Sequence, residues 1–309
     1  MRHGGRVTAR TAASPLLAYA AACLGIALYA VMDAAMKTLA LAMGAYPALF
    51  WRIGVTALVA ALVHAARRPG WPPAAVLRVH AARAGVVTVM ALAFFWGIAR
   101  VPLAVAVGLS FIAPLIALAL AALFLGERVG ARSLIGSALA VGGVGAILAG
   151  RLGGGGNNGE GGGEAALLGM AAVLLSAVFY AVNLVMARHQ ARRSGAWEIA
   201  SFQTGMVFAL LALAAPWWLV VPPIALWPTI VAAAALALTS LLLLSWANAR
   251  APARLLISSE YTAFIWSALM GWTVFGERLS WATLGGTVLI VIGCLTALRD
   301  KAPAAEPGV

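Results

Sequence analysis

The sequence predicts an all-α integral membrane protein whose ten transmembrane helices form two inverted five-helix repeats. Three observations carry that expectation. The 309 residues are 63% hydrophobic and only 10% charged, whereas soluble domains are roughly 45–50% apolar and about 25% charged. The apolar residues gather into ten runs, each near the length needed to cross a hydrocarbon layer about 30 Å thick. The second half of the chain also repeats the first at a nearly constant offset. This composition excludes a water-soluble domain, a disordered chain and a secreted disulfide scaffold.

The runs follow one another in order. The first, 16–42, succeeds a basic tail with Arg2, Arg6 and Arg10. Ala20-Ala21-Ala22-Cys23 loosely resembles a cleavage or lipid-attachment site, but the apolar run continues to Met32, so an uncleaved helix is expected. Run 48–64 stops before Arg67-Arg68, and run 79–98 lies between Arg78 and Arg100. Run 103–125 opens after Pro102 and ends in Gly126-Glu127-Arg128, and run 133–149 is rich in glycine. The second set is 165–187, 199–221, 226–247, 255–275 and 281–298. None shows the alternation of a barrel strand. The expected organisation is a tail over 1–15, a repeat over 16–150, a linker over 151–164, a second repeat over 165–298 and a tail over 299–309.

Positive charge sets the direction. Sixteen of the 21 Lys and Arg fall on one side of the ten-run layout and three on the other, which by the positive-inside rule puts both termini in the cytoplasm and the linker outside. The net charge of +12 therefore reads as topology and attraction to anionic lipid, with no nucleic acid as partner. Cys23 and Cys294 stand far apart in apolar runs, and His3, His64, His80 and His189 lie in tails or at helix ends. No metal site, cofactor or disulfide is expected. The glycine-rich linker GGGGNNGEGGG lacks the Lys-Ser/Thr and the preceding strand of a phosphate loop, so it reads as a flexible connection.

An offset of 150 aligns 99–128 with 249–278 without a gap and with seven identities. The informative matches are Ala99, Arg100 and Pro102 with Ala249, Arg250 and Pro252, and Gly126-Glu127-Arg128 with Gly276-Glu277-Arg278. Trp96 and Trp246, Gly136 and Gly286, and Gly143 and Gly293 keep that offset, while Tyr29 and Tyr180, Lys37 and Arg188, and Gly54 and Gly205 match at 151. A five-helix unit is odd, so its second copy enters the bilayer in the opposite direction.

Each half thus has a fourth helix ending in Gly-Glu-Arg before a glycine-rich fifth helix. This pattern resembles the drug/metabolite transporter superfamily, specifically its EamA-type members, over almost the whole chain. Met32-Asp33-x-x-Met36-Lys37 followed by Phe50-Trp51-Arg52 is similar to a subgroup that includes bacterial metabolite carriers. The ninth helix reads Glu260-Tyr261 where Glu-Pro is commoner in the family, and Pro114 stands in the fourth. The resemblance implies a secondary transporter in the bacterial inner membrane, with a small-molecule substrate and no enzymatic activity.

Ionisable groups in a bilayer normally face a cavity or one another. Asp33 and Lys37 share a helix face with Tyr29 one turn earlier; the acid either lines a cavity, meeting an amino group or a proton, or pairs with Lys37, which otherwise snorkels to the surface. Glu260 lies about 12 Å beyond Pro252, near the midplane, with Ser110 at the matching position; Phe111 and Tyr261 would add aromatic walls. Arg52 either binds a substrate carboxylate, pairs with Asp33 or snorkels. Asn183, one turn after Tyr180, is a substrate contact or an interhelical hydrogen bond. Trp96 and Trp246 read as interfacial anchors, and Glu127 and Glu277 as helix-end residues paired locally with Arg128, Arg278 or backbone.

The expected function is transport of a small polar organic metabolite, an amino acid or related solute, by alternating access, with proton coupling open to Asp33. The competing readings are a flippase for a lipid-linked carrier and a membrane enzyme acting on lipid substrates.

Overall fold

The computed structural model describes residues 15–67, 73–125, 131–152, 163–190, 196–250, 256 and 259–298. The expected tails, the glycine-rich linker and Glu127 lie outside the described residues. The first repeat contains α1 (Pro15–Met43), α2 (Ala45–Arg67), α3 (Ala74–Ile98), α4 (Leu103–Ser110), α5 (Ala113–Leu125) and α6 (Ala131–Leu152). The second contains α7 (Glu164–Gln190), α8 (Ala196–Trp218), α9 (Trp227–Asn248), α10 (Thr262–Phe275) and α11 (Trp281–Leu298). Among the described residues seven helical stretches are long and apolar enough to cross a membrane, and Thr262–Phe275 and Trp281–Ala297 are shorter apolar helices.

Local chemistry explains the boundaries. A single residue, Gly44, separates α1 from α2; its φ of +91° is a left-handed conformation that glycine adopts without a Cβ penalty, and its N–H caps Ala40. Pro73 and Pro102 precede α3 and α4 with φ of −57° at each, as the pyrrolidine ring requires. The expected single fourth helix is two pieces, α4 and α5. Pro114 has no N–H to offer the carbonyl of Ser110 and its ring crowds that oxygen, so the chain crosses Phe111 and Ile112 on bonds to Gly108 and Leu109, each 3.3 Å.

The helices pack in a pattern that exchanges the two repeats. α1 packs on α9 as α3 packs on α7, α2 packs on its counterpart α8, and α6 on its counterpart α11. The α6–α11 seam is the closest. A Cβ added at Gly136 would run into the Gly293 carbonyl oxygen and one at Gly293 into that of Gly136; Gly143 and Gly286 stand in the same relation. The 150-offset mates are Gly136 with Gly286 and Gly143 with Gly293, so each glycine faces the mate of the other pair. That crossing requires antiparallel helices related by a two-fold. Without hydrophobic drive between helices in lipid, such small-residue contact is what lets backbones approach and hold.

Candidate functional site

The second repeat matches the broken helix of the first. Ser259 and Glu260 are helical, the helix is interrupted at Tyr261, and α10 resumes at Thr262. No proline stands here. Instead the hydroxyls of Ser259 and Thr262 donate to the carbonyls of Leu256 and Ser259, at 2.7 and 2.6 Å, competing for acceptors with the helical N–H groups. The two interruptions meet: the rings of Phe111 and Tyr261 pack edge to face with centroids 5.5 Å apart. The Cys294 thiol, on α11, donates to the Phe111 carbonyl at 3.1 Å and interacts with the Tyr261 hydroxyl. Cys294 thus satisfies an acceptor released by the break, a role invisible in the sequence because it depends on the α11 position. Ser110 donates its own hydroxyl to Ala106 at 2.8 Å within α4.

Around this junction the sequence candidates divide. Glu260 is exposed and interacts electrostatically with Tyr180 of α7 and with Tyr261; Tyr180 interacts in turn with Tyr29 of α1. The repeat mates Tyr29 and Tyr180 thus lie within electrostatic range of each other, and Glu260 lies within range of Tyr180. Tyr29 and Arg52 line a cavity of about 150 Å³ together with Thr56, Thr204 and the apolar wall of Ile53, Ala237 and Leu241. Asp33, one turn beyond Tyr29, is half-buried and interacts with Arg52. Asn183 is 8% exposed and accepts a hydrogen bond from Arg83 of α3 at 2.8 Å, joining α7 to α3.

Arg52 does not snorkel. It lies about 10 Å into α2, is 8% exposed, and has the Phe95 ring 5.5 Å from its guanidinium carbon. An aromatic cluster before it fixes that end of α2: the Trp51 indole donates to the Val220 carbonyl at 2.8 Å, and Phe50 packs on Phe208 with centroids 5.1 Å apart.

The expected alternatives for Lys37, pairing with Asp33 or snorkelling, are both corrected. Lys37 is 6% exposed and forms a short ion pair with Glu277, while also donating to the Val101 carbonyl at 2.7 Å. The second carboxylate oxygen of Glu277 accepts the Leu103 N–H at 2.8 Å. Glu277 is therefore no locally paired helix-end residue; it joins α1, the entry to α4 and the end of α10. The Gly-Glu-Arg motif explains how. Gly276 takes φ +67°, turning the chain back so that the Glu277 N–H reaches the Gly271 carbonyl at 3.0 Å. Gly271 has no side chain to obstruct the carboxylate, where a Cβ would collide with it.

Trp96 and Trp246, expected as anchors, carry a further contact. The Arg100 guanidinium lies 3.4 Å from the Trp96 ring centroid and donates to the Trp96 carbonyl at 2.9 Å. Arg250 does the same at Trp246, at 4.5 and 3.3 Å. Each arginine closes a helix C-terminus, where a cation suits the dipole. Among the described residues no three His, Cys, Asp or Glu side chains gather as metal ligands.

Comparison with known proteins agrees with this architecture. The model of the EamA-like transporter family matches residues 16–149 and 167–299. The pseudopaline exporter CntI of Pseudomonas aeruginosa, from strains UCBPP-PA14 and PAO1, is 28% identical over 280 residues, covering 88% of this chain and 93% of the relative. One solved crystal structure is 23% identical with a TM-score of 0.58, covering 92% of this chain and 96% of that one, and so shares the fold. With two family matches that coincide with its two helical halves, this chain belongs to the EamA-like transporter family and is a membrane transporter.

Proposed function

We propose that this protein is a secondary transporter that moves a small polar organic metabolite, an amino acid or related solute, by alternating access between two inverted repeats. The observation that carries the reading is the pair of matched helix interruptions at Phe111 and Tyr261, packed on each other, with Glu260 at the second break and within electrostatic range of Tyr180. Broken helices expose backbone and side-chain polar groups to a central cavity, and transporters of repeat architecture use them to bind solute near the midplane. The relatives named as pseudopaline exporters support outward movement.

On the positive-inside reading, which has both termini in the cytoplasm, the Lys37–Glu277 network stands at the outer mouth. In the described conformation this network ties the two repeats together there, and Arg52 and the cavity lie deeper toward the inner half. The arrangement corresponds to a carrier closed at its outer mouth. Opening it requires α1 and α10 to part, and reclosing re-forms one compact ion pair.

Flux of a panel of polar metabolites into and out of proteoliposomes, with and without a pH gradient, tests the reading. Saturable movement of one solute class by the wild-type protein is expected, and its dependence on the gradient identifies proton coupling. Absence of flux for every solute, from protein that is folded and correctly inserted, overturns it.

A further inference from the structure

The cavity that Arg52 lines is polar on one side and aliphatic on the other. Tyr29, Arg52, Thr56 and Thr204 bring its polar groups from α1, the first half of α2 and α8, while Val59, Val63, Leu238 and Leu241 face them from the rest of α2 and from α9. Val59 and Leu241 are 38% and 41% exposed, and each stands fourteen positions beyond the first residue of its helix, about 21 Å along it. The two residues are therefore level, in the inner half of the bilayer on the positive-inside reading. Nearer their outer ends α2 and α9 touch, because the Trp51 and Trp227 rings meet at 67° with centroids 5.3 Å apart. The helices are joined there and divided by the cavity at the level of Val59 and Leu241. Small side chains make the room: Ala60 and Ala237 line the cavity and are buried. The repeat mate of Ala60 is Leu211, 1% exposed, so the counterpart position across the two-fold is filled.

We propose, resting on the transport reading above, that the gap between α2 and α9 is a lateral portal to the inner leaflet, used by an amphipathic anion. Its charged head sits at Arg52, and its single alkyl or aryl tail lies between Val59 and Leu241. A mouth that met water would be rimmed by polar side chains, whereas Val59, Val63, Leu238 and Leu241 are matched by lipid tails, which are as apolar as leucine. The rim faces hydrocarbon. Arg52 supplies the head-group chemistry: it is 8% exposed, its Nε has no hydrogen-bond partner among the described residues, and a charged group at membrane depth normally marks a pathway or binding function. Its planar fork suits an oxyanion. Asp33 interacts with Arg52 at range without lining the cavity, and its charge disfavours a dianion. A single negative charge fits. The volume of about 150 Å³ equals about five waters of the liquid, enough for the head and the first few carbons. The rest of the tail stays in lipid.

The first test needs no solute. Val59→Cys and Leu241→Cys, each in full-length protein carrying Cys23→Ala and Cys294→Ser, are spin-labelled in liposomes and exposed to oxygen, which concentrates in hydrocarbon, or to a water-soluble nickel chelate. Both labels should be relaxed more by oxygen than by nickel; the reverse overturns the portal. The second test measures saturable uptake, over empty liposomes, of the series from ethanesulfonate to decanesulfonate, whose members keep one negative charge at any working pH. For wild-type protein the half-saturating aqueous concentration should fall about fourfold per added methylene and go on falling to decanesulfonate. A closed pocket of this volume would prefer a short chain and reject longer ones, and that result overturns the proposal. Arg52→Gln should weaken decanesulfonate by about tenfold or more, as suits loss of a charge-assisted bond, and Arg52→Lys by less. Undiminished uptake by folded Arg52→Gln overturns the assignment of the head. Flux of polar metabolites without any alkanesulfonate overturns the proposal and leaves the transport reading standing, whereas absence of flux for both kinds of solute overturns both. If Arg52→Gln does not fold, the wild-type series and the spin labels decide.

Discussion

Removing one member of the Lys37–Glu277 pair should destabilise the protein more than removing both. Both side chains are under one-tenth exposed, so each charge relies on the other and on the α4 entry for its solvation. Lys37→Met leaves the Glu277 carboxylate buried with the Leu103 N–H as its remaining partner, and breaking a buried pair in this way costs about 3–5 kcal/mol. Glu277→Met strands Lys37 on the Val101 carbonyl and also orphans the Leu103 N–H, adding about 1–3 kcal/mol. In the double variant no charge remains, and the loss falls to the unsatisfied backbone groups, about 1–3 kcal/mol for each. The double variant should therefore recover at least about 2 kcal/mol relative to additivity, within the range seen for directly coupled residues. Equilibrium unfolding of the four proteins in mixed micelles completes the cycle. Single variants within about 0.5 kcal/mol of wild type, or additivity across the cycle, would refute the argument that this pair is a desolvated connection between repeats.

Gly271→Ala should weaken the same network without changing charge, because the new methyl occupies the space of the Glu277 carboxylate; Gly142→Ala, which meets nothing within 4 Å, should be neutral or slightly stabilising on the same unfolding measurement. Gly143→Leu should separate α6 from α11 and lower the yield of monodisperse protein, whereas Gly285→Ala, with open space around it, should leave size-exclusion behaviour unchanged. A cysteine introduced at Asn157 should react with an impermeant thiol reagent from outside the cell only; reaction from the cytoplasmic side alone inverts the topology. Glu260→Gln should reduce transport much more than Arg278→Gln at equal expression, since Glu260 stands at the helix break and interacts electrostatically with Tyr180, whereas Arg278 lies beyond the end of α10; the opposite ranking moves the site away from Glu260. Glu277 is unsuitable as that control because its own removal breaks the interhelical pair.

What the sequence by itself determined follows from quantities that are local or periodic. Run length and the scarcity of charge identify membrane helices, because an unpaired backbone in lipid has no alternative to internal hydrogen bonding. The two-repeat organisation is legible from Arg100, Pro102 and their mates, and the glycines of α6 and α11 carry the same offset. Tyr29, Tyr180 and Glu260 could be singled out as polar side chains in apolar runs. The tertiary structure alone decided who meets whom. Lys37 finds Glu277 across 240 positions because the two-fold brings the end of α1 against the end of α10, while Asp33, four residues away on the helix, turns toward Arg52. Pro114 accounts for one interruption in a run read from the sequence as a single helix, but that it faces a second one at Tyr261, with Cys294 satisfying the freed carbonyl, depends on how α4, α10 and α11 pack. Arg52 at a helix start looks like a surface cation until the packing of α1, α3 and α8 around α2 removes it from water. Chain spacing fixes which residues share a helix face, and only the packing of those faces decides whether a charge is paired, solvated or left for a ligand.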